Sequence, residues 1–534
     1  MIITAKRTII LFFTVVVMFV CVLVRLAYIS VSMISDVSSV RSSRVIQAGQ
    51  TRGMIYDRNM NPVVNRTFHT MLVVNPTQEA MKCLEMYLDK EAFADAGILA
   101  SQGKPFLIEC DSYNGDCDDI IDIIIYNRYS ENDNAVHLVG YTDSTGNGVT
   151  GIEKSFNDLL NEYSGTVSVR YNADSSGVML GGMGFEIIND NYDSKGGVVL
   201  TVDNEIQRIC ENAMERNNIE KGAVVVLDAK TSAILAMASA PSFDRFSLSP
   251  ALTSEDSPFL NRALSSYSVG SVFKPVVAAA ALENGESENS VFDCCGYTMV
   301  SGVRFNCHEL SGHGENDMKN AMAVSCNSYF IKLGQTAGAE SIVNIASALG
   351  FGKETVLSNG IVASSGYLPS ADEIDSLPAL ANLSFGQGNL LATPLQIGAL
   401  FCTFANGGYY REPYVVSALV DSQGKETQRF ESRTNNKVLT DSVCERINEM
   451  LCQTVLTGSG VLAKPMASDS AGKTATAETG QRENGKEVVH TWFAGYYPAE
   501  DPEYVIVVFR ENGISGAKDC APVFRDIADM IITD

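Results

Sequence analysis

Three short stretches of the chain place side chains that could together activate a serine. In "SYSVGSVFKP", Ser271 and Lys274 stand at i and i+3 at the start of an apolar segment. On a helix that spacing puts both on one face, so the amine can take the proton a serine hydroxyl must lose to become a nucleophile. The helix N-terminus adds partial positive charge that favours a developing alkoxide. For Lys274 to act as a base its pKa must fall, and burial and a second nearby cation both lower it. In "AVSCNSYF", Ser325 and Asn327 stand at i and i+2, which in a tight loop aims both to one side. The hydroxyl can relay a proton and the amide can donate to a substrate carbonyl. In "AGKTATAETG", Lys473 stands among very small residues. It can supply the second cation, while Thr474 and Thr476 offer hydroxyls to a carboxylate and the strand's edge can pair with an extended peptide. Taken singly, each stretch also has an ordinary reading: a chance Ser-x-x-Lys, a cap or turn, an exposed strand lysine.

Other hydrolytic systems do not fit. The five histidines are His69, His137, His308, His313 and His490, and none accompanies a G-x-S-x-G elbow. There is no H-E-x-x-H pair and no P-loop. A formal net charge of −24, with no basic stripe interleaved with aromatics, argues against a nucleic-acid partner.

The elements that must position these residues begin at Gly196. "GGVVLTVD" reads as a strand and "NEIQRICENAMERN" as an amphipathic helix with Ile206, Ile209, Cys210 and Met214 on one face. "GAVVVLDAKTSAILAMAS" reads as two strands about a polar turn, and "FKPVVAAAALEN" and "TPLQIGALFCTFANGG" as helices. "GKTATAET", "EVVHTWFAGYY" and "EYVIVVFREN" read as three strands, the first two joined at Asn484-Gly485, before a C-terminal helix. Helices between an early strand pair and a late strand trio predict an α+β domain with one largely antiparallel sheet. Residues 51–195 are turn-rich and read as an irregular, extended region, whereas residues 31–50 read as a continuation of the helix before them.

Residues 9–24 are an unbroken apolar run, and Leu26, Ala27 and Ile29 extend it past Arg25 to about 20 residues, the length of a membrane span. Lys6 and Arg7 precede it, so the expected orientation has the N-terminus in the cytoplasm and the rest of the chain outside. There are 13 cysteines, with no spacing that marks a disulfide framework. Cys294, Cys295, Cys307, His308 and His313 are the one dense group. Their spacing matches no standard zinc pattern, which leaves a zinc site, a Cys295–Cys307 pairing and plain thiols open, with thiols favoured and no metal assigned.

Ser-x-x-Lys, Ser-x-Asn and Lys-Thr-small, roughly 50 and then roughly 150 residues apart, make the three-part signature of penicillin-binding proteins and related β-lactamases. The sequence resembles a class B penicillin-binding protein through most of its length. "TRGMIYDRN" and "GVTGIEKSFNDLL" resemble the boxes of that family's non-catalytic pedestal. "NRALSSYSVGSVFKP", "GHGENDMKNAMAVSCNSYF", "SFGQGNLLATPLQIG" and "HTWFAGYYP" resemble landmarks of its transpeptidase domain. The resemblance implies a cytoplasmic tail at 1–8, an anchor at 9–29, a pedestal at 30–195 and a penicillin-binding transpeptidase domain at 196–534. It implies no glycosyltransferase domain ahead of the catalytic one and no extension after it. Ser271 would be the acyl-enzyme nucleophile, Lys274 its base, Ser325 the link between the two lysines and Asn327 its companion. Lys473, Thr474 and Thr476 would line the cleft, with the backbone N–H groups of Ser271 and Thr476 as oxyanion hole. The implied reaction joins peptidoglycan stem peptides, releases D-alanine, needs no cofactor and is blocked by β-lactams. A polytopic glycosyltransferase is the expected partner. The rivals are a β-lactamase or D,D-carboxypeptidase, and a penicillin sensor or scaffold. One departure stands out: Ala475 replaces the usual glycine. A methyl there is tolerable in a strand as long as φ stays negative.

Overall fold

The computed structural model describes residues 2–531 except Met183 and Asn484. They fold as two compact units. The first comprises residues up to 51, 65–128 and 164–194; the second comprises 52–64, 129–163 and 195 onward.

The first unit opens with helix α1 (Ile2–Ser42). Within it, Arg7–Ile29 is 23 residues long with mean hydropathy 3.0, and none of it is buried. At 1.5 Å per residue it reaches about 35 Å, enough for a hydrocarbon core of about 30 Å. The helix ends at Ser42, short of the predicted limit, and the chain turns into strand Ser43–Thr51. That strand pairs antiparallel with Gly165–Asn172, which pairs in turn with Glu186–Asp190. A second sheet has Thr67–Val74 between Phe106–Cys110 and Ile120–Asn127. Helices Gln78–Leu84 and Lys90–Ala100 accompany it, capped by the side chains of Thr77 and Asp89. Leu72, Val74, Leu84, Ala96 and Phe106 form its core. This region is therefore more regular than its turn-rich sequence suggests. Short strands with single caps leave little periodicity to read between the turns.

The second unit is built on a five-stranded antiparallel sheet. Its strands are β1 (Gly222–Asp228), β2 (Ile234–Ala240), β3 (Ala471–Glu483), β4 (Lys486–Tyr497) and β5 (Tyr504–Arg510), in the order β2-β1-β5-β4-β3. Asn484 of the expected hairpin turn lies outside the described residues, but β3 and β4 pair as it requires. Both faces of the sheet are covered, which is why β1 and β5 are almost continuously apolar. Val224, Val226, Ile506 and Val508 face one way, toward helices α2 (Asn204–Arg216) and α7 (Ala521–Ile531). Ala223, Val225, Leu227, Val505 and Val507 face the other way. There they meet a larger core that includes α3 (Lys274–Glu283), α4 (Asn327–Ala337), α5 (Pro394–Ala405) and α6 (Asp441–Leu456). Helix α5 is buried nearly all round and starts with a reciprocal cap between Thr393 and Gln396. The expected α+β architecture is what forms.

Two segments read from sequence as pedestal boxes belong to this unit. Arg52 and Glu153 join them in a buried ion pair, Nε to Oε2 at 3.0 Å. Arg52 also donates to Asn157 Oδ1, and the Tyr129 hydroxyl donates to Glu153 Oε1 at 2.9 Å.

Candidate active site

Ser271 sits in a single 3-10 turn, Gly270–Phe273, that runs straight into α3. Three features fix that turn. Trp492 of β4, fully buried, donates its indole N–H to Ser268 O at 3.0 Å. Tyr267 and Ser268 pair with Ala392 and Leu391. Gly270, at φ +63°, donates its N–H to Gly386 O at 2.9 Å. A side chain on Gly386 would put its Cβ 1.9 Å from Gly270 O, so only glycine allows this approach. The "SFGQGNLLATPLQIG" landmark is thus a brace for the turn that carries Ser271. Ser271 is half-buried, and its hydroxyl makes no hydrogen bond among the described residues.

One turn on, Lys274 is fully buried. Its ammonium donates to Ser325 O at 2.7 Å, to Asn327 Oδ1 at 2.8 Å and to Ser325 Oγ at 3.1 Å. The Phe330 ring lies 5.4 Å from Nζ. Burial pushes the Lys274 pKa down to about 8, with nearby Cys326 and Cys307 working against it. An amine held there is partly neutral near pH 8 and can accept a proton. Ser325 sits at φ +57°, a strained position for a non-glycine residue. Asn327 is the first residue of α4.

Lys473 is also fully buried, on β3, and donates to Thr474 O at 3.0 Å. Burial, then the charge of Lys274, holds its pKa well below the usual lysine value. The sequence suggests that Lys473 depresses Lys274; here the charge of Lys274 lowers Lys473, and Lys274 itself is lowered by burial. Ser325, however, bonds to Lys274 and not to Lys473 among the described residues. Thr474 is buried and shares a 2.7 Å hydrogen bond with Ser459 Oγ. Thr476 is exposed, and its hydroxyl accepts from Gly516 N–H at 3.4 Å, which leaves its own proton free. β3 is the terminal strand of the sheet, so one edge of "AGKTATAE" has no strand partner among the described residues. Ala475 is buried, and its Cβ lies 3.4 Å from where a Cβ on Gly270 would stand. Its methyl therefore packs beneath the Ser271 turn, a role that glycine cannot fill.

All seven residues singled out in the sequence lie in one unit, tied through Lys274 and through the approach of β3 to Gly270. Ser459, Trp492 and Gly386 were not foreseen as parts of the site. Glycines inside the 384–398 landmark were the available signal for the last; nothing local marks Ser459. Cys294 rather than Cys295 stands beside Cys307, because alternate residues leave a short strand on opposite faces. Cys326, between Ser325 and Asn327, joins that group. A cavity of about 930 Å³ is lined elsewhere, by His137, Glu211 and Phe243 among others, and none of the seven residues borders it.

The penicillin binding protein transpeptidase domain matches residues 222–529. Stage V sporulation protein D of Bacillus subtilis is 30% identical over 393 residues, covering 70% of this chain and 58% of that protein. Peptidoglycan D,D-transpeptidase FtsI of Escherichia coli is 27% identical over 564 residues, covering 96% and 90%. A chain of a solved peptidoglycan synthase complex, 23% identical, shares the fold with a TM-score of 0.69 over 96% of each chain. The chain spans less than two thirds of the first relative and most of the second. By the span of the domain match, its order of motifs and its fold, the chain belongs to the penicillin-binding protein transpeptidase family.

Proposed function

We propose that the chain is a membrane-anchored peptidoglycan D,D-transpeptidase working through a Ser271 acyl-enzyme. The observation that carries this is the buried, triply hydrogen-bonded Lys274 one turn from a half-buried serine with an unengaged hydroxyl. Lys274, in its neutral form, takes the Ser271 proton as the oxygen attacks the carbonyl of a D-Ala-D-Ala bond. The oxyanion falls to the N–H groups of Ser271 and Thr476, each such donor being worth about 3–4 kcal/mol in acyl-transfer enzymes. The proton returns to the departing D-alanine amine by way of Ser325. An amine from a second stem peptide then attacks the ester, gives up its proton by the same route and frees Ser271. Asn327 and Lys473 orient this relay, and Thr474 and Thr476 receive the terminal carboxylate. The donor peptide lies along the open edge of β3.

The apolar helix suits a single-pass anchor, with the N-terminus cytoplasmic and the catalytic unit outside. A β-lactam acylates the same serine. The partner is a polytopic glycosyltransferase that supplies the glycan strands; the solved neighbour, a chain of a complex coordinating polymerization and crosslinking, supports this assignment.

The test is a cross-linking assay with the full chain in detergent, given nascent glycan bearing D-Ala-D-Ala stems and free acceptor amine. Dimeric stem peptides and stoichiometric D-alanine are expected, both lost in Ser271→Ala. Release of D-alanine with water as the only acceptor would overturn the transpeptidase assignment in favour of a carboxypeptidase.

A further inference from the structure

Beside the lysine pair, four side chains from separate segments converge. Cys294 ends the strand Phe292–Cys294, which pairs with Gly314–Asn316. Cys307 follows the strand Val303–Asn306, and His313 precedes Gly314. Cys326 caps α4 from the middle of the Ser325–Asn327 motif. Their ligand atoms all lie within 4.8 Å of one another. Cys307 Sγ is 3.5 Å from His313 Nδ1 and 4.0 Å from Cys326 Sγ, and Cys294 Sγ is 3.6 Å from His313 Nδ1. The three cysteines are buried and His313 is half-buried.

We propose that Cys294, Cys307, His313 and Cys326 form a Cys3His site for zinc that holds the Ser325–Asn327 loop in its working shape. A tetrahedral zinc with Zn–S near 2.3 Å and Zn–N near 2.0–2.1 Å has edges of about 3.8 Å between sulfurs and about 3.5 Å between sulfur and nitrogen. The three separations given above are those edges to within a few tenths of an ångström, and none of the remaining ones exceeds 4.8 Å. A disulfide would need two sulfurs at about 2.05 Å and would leave the third thiol and the imidazole without a task. Residues 292–316 also need a staple. They form two hairpins of three- and four-residue strands, with Cys294, Val300 and Cys307 as their buried apolar side chains. On binding, the three thiols give their protons to solvent and the imidazole binds neutral. Four protein ligands close the coordination shell, so the metal positions and does not touch substrate. Its leverage is Cys326. The residues on either side, Ser325 in its strained conformation and Asn327, are the two that hold Lys274.

The metal readout stands independently of the proposed function; the acylation readout rests on it. The full chain is purified in detergent with a thiol reductant and no chelator, and zinc is measured by mass spectrometry. About one zinc per chain is expected. His313→Ala and Cys294→Ser should weaken retention by tenfold or more, while Cys295→Ser and His308→Ala retain it. Because ligand variants can misfold, cobalt(II) is also added to the reduced, metal-stripped wild type. A thiolate-to-cobalt charge-transfer band with tetrahedral d–d bands is expected. Stripping should slow fluorescent-penicillin labelling tenfold or more, with recovery on adding zinc. Zinc-free protein together with no tetrahedral cobalt spectrum would overturn the site. A bound metal whose removal leaves labelling unchanged would overturn the positioning role. A metal-loaded chain that never labels would count against the proposed function, not the site.

Discussion

At the residue scale, the turn that carries Ser271 is held by Trp492 and Gly386 and underpinned by Ala475. Ser271, Lys274, Ser325, Asn327 and Lys473 could be singled out as candidates because few residue types can activate a hydroxyl and their spacing is narrow. Gly386 and Trp492 act by fit to distant backbone and Ser459 by a bond to the Thr474 hydroxyl, and one sequence carries no trace of which partners those are. Ala475 shows the difference. From sequence it was a departure from glycine; in the fold its methyl fills space under Gly270. Ala475→Gly should therefore change the rate of β-lactam acylation by less than about tenfold and lower stability by about 1 kcal/mol, the cost of glycine's chain entropy and a lost methyl contact. Gly270→Ala should be far worse. Its φ is +63°, and the new Cβ would lie 3.0 Å from Ala477 Cβ. A cost of about 1–2 kcal/mol from the backbone alone would fall on the turn that holds Ser271. Stopped-flow acylation and thermal unfolding of the two variants would check both expectations.

At the element scale, the sheet and helices of the second unit followed from apolar runs and periodicity, since both faces of the sheet are covered and α2 is strongly amphipathic. The segment 51–195 resisted reading. Its short strands find partners far along the chain, as Gly165–Asn172 does with Ser43–Thr51. The two boxes at 51–59 and 148–160 could be quoted from sequence, but not their relation. Arg52 and Glu153 are buried and paired, with Asn157 and Tyr129 completing the network. Removing one charge strands the other in a dry site. Arg52→Met or Glu153→Gln should each cost about 3–5 kcal/mol, read as a lowered denaturant midpoint, whereas replacing both by apolar residues should cost much less.

At the scale of the whole molecule, stability should fall in mild acid through His137. Burial holds its pKa down to about 4 from the usual 6.5, opposed by its hydrogen bond to Pro258 O and assisted by Arg262 and Arg245. Between those values the unfolded chain binds a proton that the folded chain refuses, so stability rises with pH there and is lost as pH falls from about 6.5 to 4. The loss amounts to about 3 kcal/mol. A denaturant series across that range should show it, and His137→Gln should flatten that part of the profile. The same scale holds the anchor, legible because its length and composition have few other uses. It also holds the joining of three distant motifs, the first two by the Lys274 hydrogen bonds and the third by the approach of β3 to Gly270. The central claim is that Ser271 forms the acyl-enzyme. Intact-mass spectrometry of the full chain after incubation with benzylpenicillin tests it most directly. One adduct of the antibiotic's mass is expected, mapped to the Ser271 peptide, persisting for hours and absent in Ser271→Ala. An adduct on another residue, or none on a folded wild type, would contradict it.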